Sequence, residues 1–243
     1  MLLPVVQGLI ERRVLVNFRV QADVLQAQLP RPFRVQTVGG FGMAGVCLIR
    51  LAQERPRFVP SFLGLRSENA AHRVAVERDT PAGPQRGVFV LRRDTSSALN
   101  AFVGGRFFPG THHRARFDVR ETADEVAVAL RSEDGDTRIA VRGRRAAEMP
   151  KTSVFPDVAA ASAFFEQGAL GWSPAKDPQC FDCLELVSHG WRVEPLAVEE
   201  VESSWFQDAA RFPAGSVAFD SALLMRDVAH EWRSHARLRV ADA

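Results

Sequence analysis

Val14, Val16, Phe18 and Val20 alternate with Leu15, Asn17 and Arg19, giving the period of two that a half-buried β-strand requires. Asp23 then caps a predicted short helix through Gln28, which Pro30 and Pro32 stop before an extended, glycine-punctuated stretch from Phe33 to Leu51. Gly39, Gly40 and Gly42 within it predict a hairpin turn or bulge. After a loop marked by Pro56 and Pro60, Ser67 to Glu77 and Gly87 to Arg92 read as strands joined through the turn Asp79-Thr80-Pro81-Ala82-Gly83-Pro84. Leu99, Phe102, Val103 and Phe107 recur at helical spacing behind Asp94, Thr95 or Ser96 as cap. Arg116 to Arg120, Glu125 to Arg131 and Thr137 to Arg142 form a meander. A second helix, capped by Asp157, runs from Val158 to about Ala169. Short strands follow at Cys183 to Val187, Trp191 to Val193, Leu196 to Trp205, Ser216 to Met225 and Arg233 to Val240.

Strands outnumber helices and do not alternate with them, which excludes a doubly wound sheet. The pattern predicts a mostly β (β-rich α+β) fold, an antiparallel sandwich or cone-like barrel with two or three packing helices. A chain of 243 residues, 46% hydrophobic and without a linker, is expected to form one domain. Its net charge of +2, from 31 basic and 29 acidic residues, leaves no global field for nucleic acid or an anionic membrane. The run Arg142, Arg144, Arg145 lacks interleaved aromatics and reads as a solvated strand edge. Val35 to Ile49, the longest uncharged stretch, falls short of the ~20 residues of a membrane span. Three cysteines, Cys47, Cys180 and Cys183, argue against a disulfide framework and for a reducing compartment. The charges Glu11, Arg12 and Arg13 follow the apolar opening, the wrong order for a signal peptide, so a cytoplasmic protein is expected. Cys180-Phe181-Asp182-Cys183 with His189 lacks a fourth ligand at readable spacing, and neither metal nor cofactor is expected.

Four segments carry a resemblance: Leu29-Pro30 after a short helix, Ser67-Glu68-Asn69 into His72-Arg73-Val74, Gly105-Arg106-Phe107-Phe108-Pro109, and Ala163-Phe164-Phe165-Glu166 leading to Gly171-Trp172. With Trp191 to Pro195 as a weaker fifth, they resemble the acetoacetate-decarboxylase-like superfamily, especially its uncharacterised bacterial branch often called YqjF-like. The resemblance implies that superfamily's fold, with a pocket between sheets, and association into homo-oligomers. In acetoacetate decarboxylase the segment similar to Gly105 to Pro109 runs into a pair of lysines, one forming an imine while the other lowers its neighbour's pKa. Here Pro109 is followed by Gly110, Thr111, His112 and His113. Imidazole cannot form the protonated imine that accepts electrons, so decarboxylation by that route is not expected. Only Lys151 and Lys176 are lysines, and Lys151, although it follows Pro150, sits beyond the meander.

If Ser67 to Glu77 is one regular strand, Glu68, Ala70, His72, Val74 and Val76 share its apolar face, and Asn69, Ala71, Arg73, Ala75 and Glu77 the other. A buried carboxylate near an imidazole has the shifted pKa that acid or base work needs, and the resemblance places Glu68 near the family's active-site glutamate. The alternative is that Glu68 ties down a strand end by pairing with Arg66, Arg73 or Arg106, and that His72 is a satisfied core histidine. Arg106 suits a bidentate clamp on a ligand carboxylate, or the last carbonyls of its own helix. Arg73, His72 and Phe108 complete the candidate binding set. His112 and His113 point to opposite faces if extended, so at most one enters a pocket, and either can serve as general acid or base. Asp227, His230 and Glu231 near Trp232 fit a pocket rim and plain surface equally well.

Three functions are compatible with these residues. The first is binding of a small organic acid or carbonyl compound in a pocket lined by Phe41, Phe89, Phe102 and Phe108, with Arg106 on the acid group. The second is a lysine-independent lyase, hydratase or isomerase in which Glu68 and His112 or His113 converge within hydrogen-bond reach. The third is an oligomeric interaction module.

Overall fold

The computed structural model describes residues 4–105 and 109–240, which leaves Arg106 and Phe108 outside the described residues. Among the described residues one sheet holds β1 (Val6–Gln21), β2 (Arg34–Val35), β3 (Thr37–Val38), β4 (Phe41–Pro56), β5 (Leu65–Arg78), β6 (Gln85–Thr95), β7 (His112–Glu121), β8 (Glu125–Ser132), β9 (Arg138–Arg145), β10 (Leu170–Pro174), β11 (Cys180–His189), β12 (Glu194–Ser203) and β13 (Val217–Arg239). The helices are α1 (Ala22–Gln26), α2 (Ala98–Val103) and α3 (Val158–Glu166). None is long and apolar enough to cross a membrane.

Strand pairing closes the sheet on itself twice. Both circuits share β13, β1, β4, β5 and β6; one returns through β10 and β11, the other through β7, β8, β9 and β12. Closure removes most free edges, the usual hazard of a large sheet. Pairing is antiparallel throughout except where β6 meets β7 and β10 in parallel.

The shared wall is buried on both faces, and alternation along β1 supplies both. Val14, Val16, Phe18 and Val20 enter a large core with Val126, Val128, Leu130 and Ile139 of β8 and β9. Leu15 faces a second core with Met43, Leu186 and the α3 residues Ala161 and Phe165. Each fully buried aliphatic side chain contributes about 1.5–3 kcal/mol over exposure.

Several boundaries differ from the sequence reading. Asp23 does not cap α1, whose N-cap is Gln21 with no side-chain bond. Asp94 and Thr95 still belong to β6, and α2 is capped by Ser97, whose Oγ accepts from Asn100 N at 3.2 Å. Asp157 does cap α3, accepting from Ala160 N at 2.8 Å. Trp191 to Val193 is irregular, and the Trp191 indole donates to Ser162 Oγ on α3 instead of joining a ladder. The two strands expected after Ser216 are one 23-residue strand, β13, which continues through the polar Arg226-Asp227 step because β1 pairs with it on both sides and β11 takes up its second half.

Candidate functional site

A bulge decides which arginine enters the interior. In β6, Val90 pairs with Arg73 but Arg92 pairs with His72, leaving Leu91 without a partner. Simple alternation from Val90 would place Arg92 on the Arg73 face; the extra residue exchanges the two, so Arg93 takes that face and Arg92 the other. Arg93 then lies opposite Ala71, Ala71 opposite Cys47, and His112 opposite Arg93 across the parallel β6–β7 pair. One row of side chains on one face therefore reads Cys47, Ala71, Arg93, His112. The small Ala71 leaves room in the middle.

This row opens onto a cavity of about 250 Å³. Its walls are mainly aliphatic, with Ile49, Leu51, Leu65, Val103 and Leu184 joined by Trp232, and its polar groups include Arg93, His112, Asn69, Asn100 and Glu54. An apolar pocket with a few convergent polar groups is the expected form of a small-ligand site, and this volume lies just below the ~300–1,000 Å³ of drug-sized pockets.

Arg93 makes no hydrogen bond or ion pair with any described residue; the carboxylate whose field reaches it is Asp182. Burial lowers its pKa to about 10, opposed by Asp182, so it remains a cation at neutral pH. Asp182 is already engaged, accepting from Arg237 Nε at 2.8 Å and from Gly110 N at 3.3 Å. Burial, then the Arg93 charge, lowers the His112 pKa to about 4, so the ring is neutral. Its Nδ1 lies 2.9 Å from Gly110 O. A carbonyl only accepts, so Nδ1 carries the proton and Nε2 the lone pair.

Two glycines frame these groups. A Cβ on Gly104 would stand 2.3 Å from His112 Nδ1, and one on Gly110, whose φ is +78°, would stand 2.2 Å from Arg93 Nη1. Gly104 and Gly110 thus make space for the His112 and Arg93 side chains that approach them.

The other candidates lie elsewhere. Glu68 is on the opposite face of β5 from Asn69 and Ala71, paired with Arg12 and Arg50 at 2.5 Å each. Both arginines also contact Glu121, which Arg226 completes. The expected convergence of Glu68 with His112 is not what the sheet builds; the partners of Glu68 are arginines of β1 and β4, neither among those anticipated. His72 shares its face, as alternation predicts, but is buried beside Trp205 with no hydrogen bond to a described residue on either nitrogen. Burial, followed by the charges of Arg92 and Arg211, lowers its pKa to about 3. It is a core histidine, though not a satisfied one. Arg73 is buried, donates to Asn17 Oδ1 at 2.7 Å and lies over the Phe165 ring.

His113 faces away from His112, its Nδ1 2.9 Å from Asp134, in a cluster that Arg92 joins to Asp94 and Asp136. As expected, only one of the two histidines reaches the cavity. Phe41, Phe89 and Phe102 do not line it: Phe41 and Phe102 are exposed and Phe89 is in the large core. Lys151 and Lys176 are both exposed and away from it. Cys180 and Cys183 are free thiols, and burial pushes Cys183 up to about 11, the inert rather than the reactive direction. Among the described residues no group of three or more His, Cys, Asp or Glu is placed to hold a metal.

At the far end of the cavity Glu54 follows Gln53, whose φ of 55° marks the bulge at which the β4–β5 register shifts. Its Oε1 lies 2.7 Å from Nε2 of His230 on β13. His230 was legible only as part of a polar cluster, Asn69 only as part of a short motif, and Arg93, Asn100 and Glu54 were not singled out at all. The one available signal was Gly104 and Gly110 flanking His112.

Residues 10–219 match the model of DUF2071, described as an uncharacterized conserved protein. The chain belongs to the DUF2071 family. No curated protein matches this DUF2071 chain by sequence. Among solved structures it is similar to acetoacetate decarboxylase from Legionella pneumophila subsp. pneumophila str. Philadelphia 1, with a TM-score of 0.63 and 10% identity over 96% of this chain and 87% of that one. An acetoacetate decarboxylase-like enzyme from Sphingomonas wittichii RW1 gives 0.61 and 11%, covering 97% and 92%. The enduracididine biosynthesis enzyme MppR, complexed with pyruvate, gives 0.63 and 11%, covering 100% and 93%. The acetoacetate-decarboxylase-like fold expected from the short motifs is therefore the fold of this DUF2071 member. At such identities fold does not carry function.

Proposed function

We propose that the cavity binds a small organic acid, with the carboxylate on Arg93 and the body of the ligand against Ile49, Leu51, Leu184 and Trp232. The observation that carries this reading is Arg93: a cation facing an apolar cavity, without an ion pair among the described residues. A half-buried guanidinium with no directly paired carboxylate among the described residues is costly, and a carboxylate that forks onto it recovers that cost while its apolar tail leaves water. MppR, the similar structure complexed with pyruvate, supports a carbonyl or carboxyl ligand in this fold. The absence of any lysine along the cavity supports binding without an imine.

Titration by calorimetry with straight-chain carboxylates tests it. Saturable binding is expected, weakened at least tenfold in Arg93→Gln, since a charge-assisted hydrogen bond is worth about 1.5–3 kcal/mol. Equal affinity in wild type and Arg93→Gln would refute it. Borohydride reduction in the presence of a β-keto acid should leave both lysines unmodified; a covalent adduct at Lys151 would restore the imine route.

A second reading, a homo-oligomer, rests on Phe58, Phe62 and Leu63, all well exposed on the β4–β5 connection. Light scattering reads it directly, and a monomer at high concentration counts against it.

A further inference from the structure

Of the carboxylates that are nearly or fully buried, Glu68 faces Arg12 and Arg50, Asp94 faces Arg92, Asp182 faces Arg237, Asp220 faces Arg19, and Glu231 faces Arg57 and Arg233. Arginine stays charged, so none of those partners can exchange a proton with its carboxylate. Glu54 differs. Among the described residues its partner is an imidazole, His230, which can take up and return a proton.

The surroundings of the pair are built for it. Gly8 of β1 is paired with His230, and a Cβ there would stand 2.1 Å from Glu54 Oε1. Gln53 and Asp227 are the two residues other than glycine with positive φ among the described residues; one precedes Glu54 directly and the other lies three positions before His230. Such conformations cost about 1–3 kcal/mol each and cluster where function holds them. The Gln53 bulge fits because Gly64 has no side chain: a Cβ there would meet Gln53 Cα at 2.4 Å. His230 is 1% exposed; its Nε2 stands 2.7 Å from Glu54 Oε1 without the alignment of a hydrogen bond, so neither ring nitrogen nor that oxygen is hydrogen-bonded to a described residue and both residues remain available for proton exchange. Glu54 lines the same cavity as Arg93.

We propose that Glu54, with His230 as its positioning and proton-exchanging partner, transfers a proton to and from a carbon of the acid held by Arg93, which makes the protein a lysine-independent enzyme. This rests on the binding reading above. The C–H bond beside a ligand carbonyl breaks, its proton passing to Glu54 and its electron pair to the carbonyl oxygen. Return of a proton to the same carbon restores the ligand, and return to a neighbouring atom gives an isomer. No oxidant, reductant or second substrate is consumed.

The spacing selects the ligand. Arg93 is level with Ala71 on β5 and Glu54 with Leu65, six positions along that strand, or about 20 Å between the backbone rows at ~3.3 Å per residue. Two long side chains close part of that gap, and a short carbon chain must cross the remainder. The cavity volume of about 250 Å³ holds roughly eight groups the size of a water at ~30 Å³ each. An acid whose ketone lies several carbons from the carboxylate fits, for instance 5-oxohexanoate; pyruvate cannot reach both ends at once.

The experiment is deuterium incorporation from D₂O into 5-oxohexanoate and pyruvate, followed by proton NMR, alongside calorimetric titration. Exchange beside the ketone of 5-oxohexanoate well above the protein-free rate is expected, with pyruvate near background. Glu54→Gln should lower the saturated rate at least ~100-fold, the scale of a lost general base, with binding unchanged. Glu54→Asp should fall between. His230→Gln should lower the saturated rate with no change in dissociation constant, a split that simple loss of structure would not produce. Binding of 5-oxohexanoate without exchange, or Glu54→Gln exchanging at the wild-type rate, overturns this inference alone. Failure of both acids to bind overturns the binding reading with it.

Discussion

At the scale of single residues, the site depends as much on missing side chains as on present ones. Gly110 combines a positive φ with a Cβ position 2.2 Å from Arg93 Nη1. Gly110→Ala should therefore displace the guanidinium and weaken carboxylate binding about as much as Arg93→Gln, at least tenfold by titration. It should also destabilise the fold by about 1 kcal/mol through the left-handed backbone. Unchanged affinity would mean that Arg93 is not the anchor. His112 was readable from the sequence because it closely follows Gly105 to Pro109, one of the segments that carry the resemblance. Arg93 was not readable, because nothing in Leu91-Arg92-Arg93-Asp94 announces a bulge, and alternation from Val90 points to the wrong arginine.

At the scale of elements, the period-two pattern located most strands and put Glu68 and His72 on one face of β5, correctly. It could not say what that face meets. Arg12 of β1, Arg50 of β4, Glu68 of β5, Glu121 of β7 and Arg226 of β13 form a partly buried network that ties the shared wall to the second circuit. Three guanidinium groups are balanced by two carboxylates, so removing one carboxylate leaves arginines uncompensated. Glu68→Gln should cost on the order of 3 kcal/mol of unfolding free energy in a urea titration. Affinity for carboxylates should stay within twofold, because Glu68 does not line the cavity. A large loss of affinity at preserved stability would return Glu68 to the site. The two capping errors differ in origin: α1 already starts at Ala22, which puts Asp23 inside its first turn, whereas Asp94 is claimed by the β5–β6 ladder.

Across the whole molecule, burial of two neutral histidines makes stability depend on pH in a definite direction. His72 and His112 have folded-state pKa values of about 3 and about 4, both lowered first by burial, against an ordinary value of 6.5. An unfolded chain binds protons at these positions below pH 6.5 and the folded chain does not, so their contribution is fully present above pH 6.5 and is lost as pH falls toward the folded values. A His72 variant and the wild type share every other titrating group, so the difference between their pH profiles isolates His72. One fully buried histidine changes stability by up to 1.36 kcal/mol per pH unit, or about 2 kcal/mol between pH 6.5 and 5. His72 has no hydrogen bond to a described residue to lose, so His72→Leu should be near neutral or stabilising at pH 7.5. The difference between variant and wild type should then grow by about 2 kcal/mol in favour of the variant as pH drops from 6.5 to 5. Urea midpoints at pH 7.5, 6.5, 5.75 and 5 would read this out, and parallel pH profiles for the two proteins would show that the His72 imidazole reaches solvent protons in the folded state.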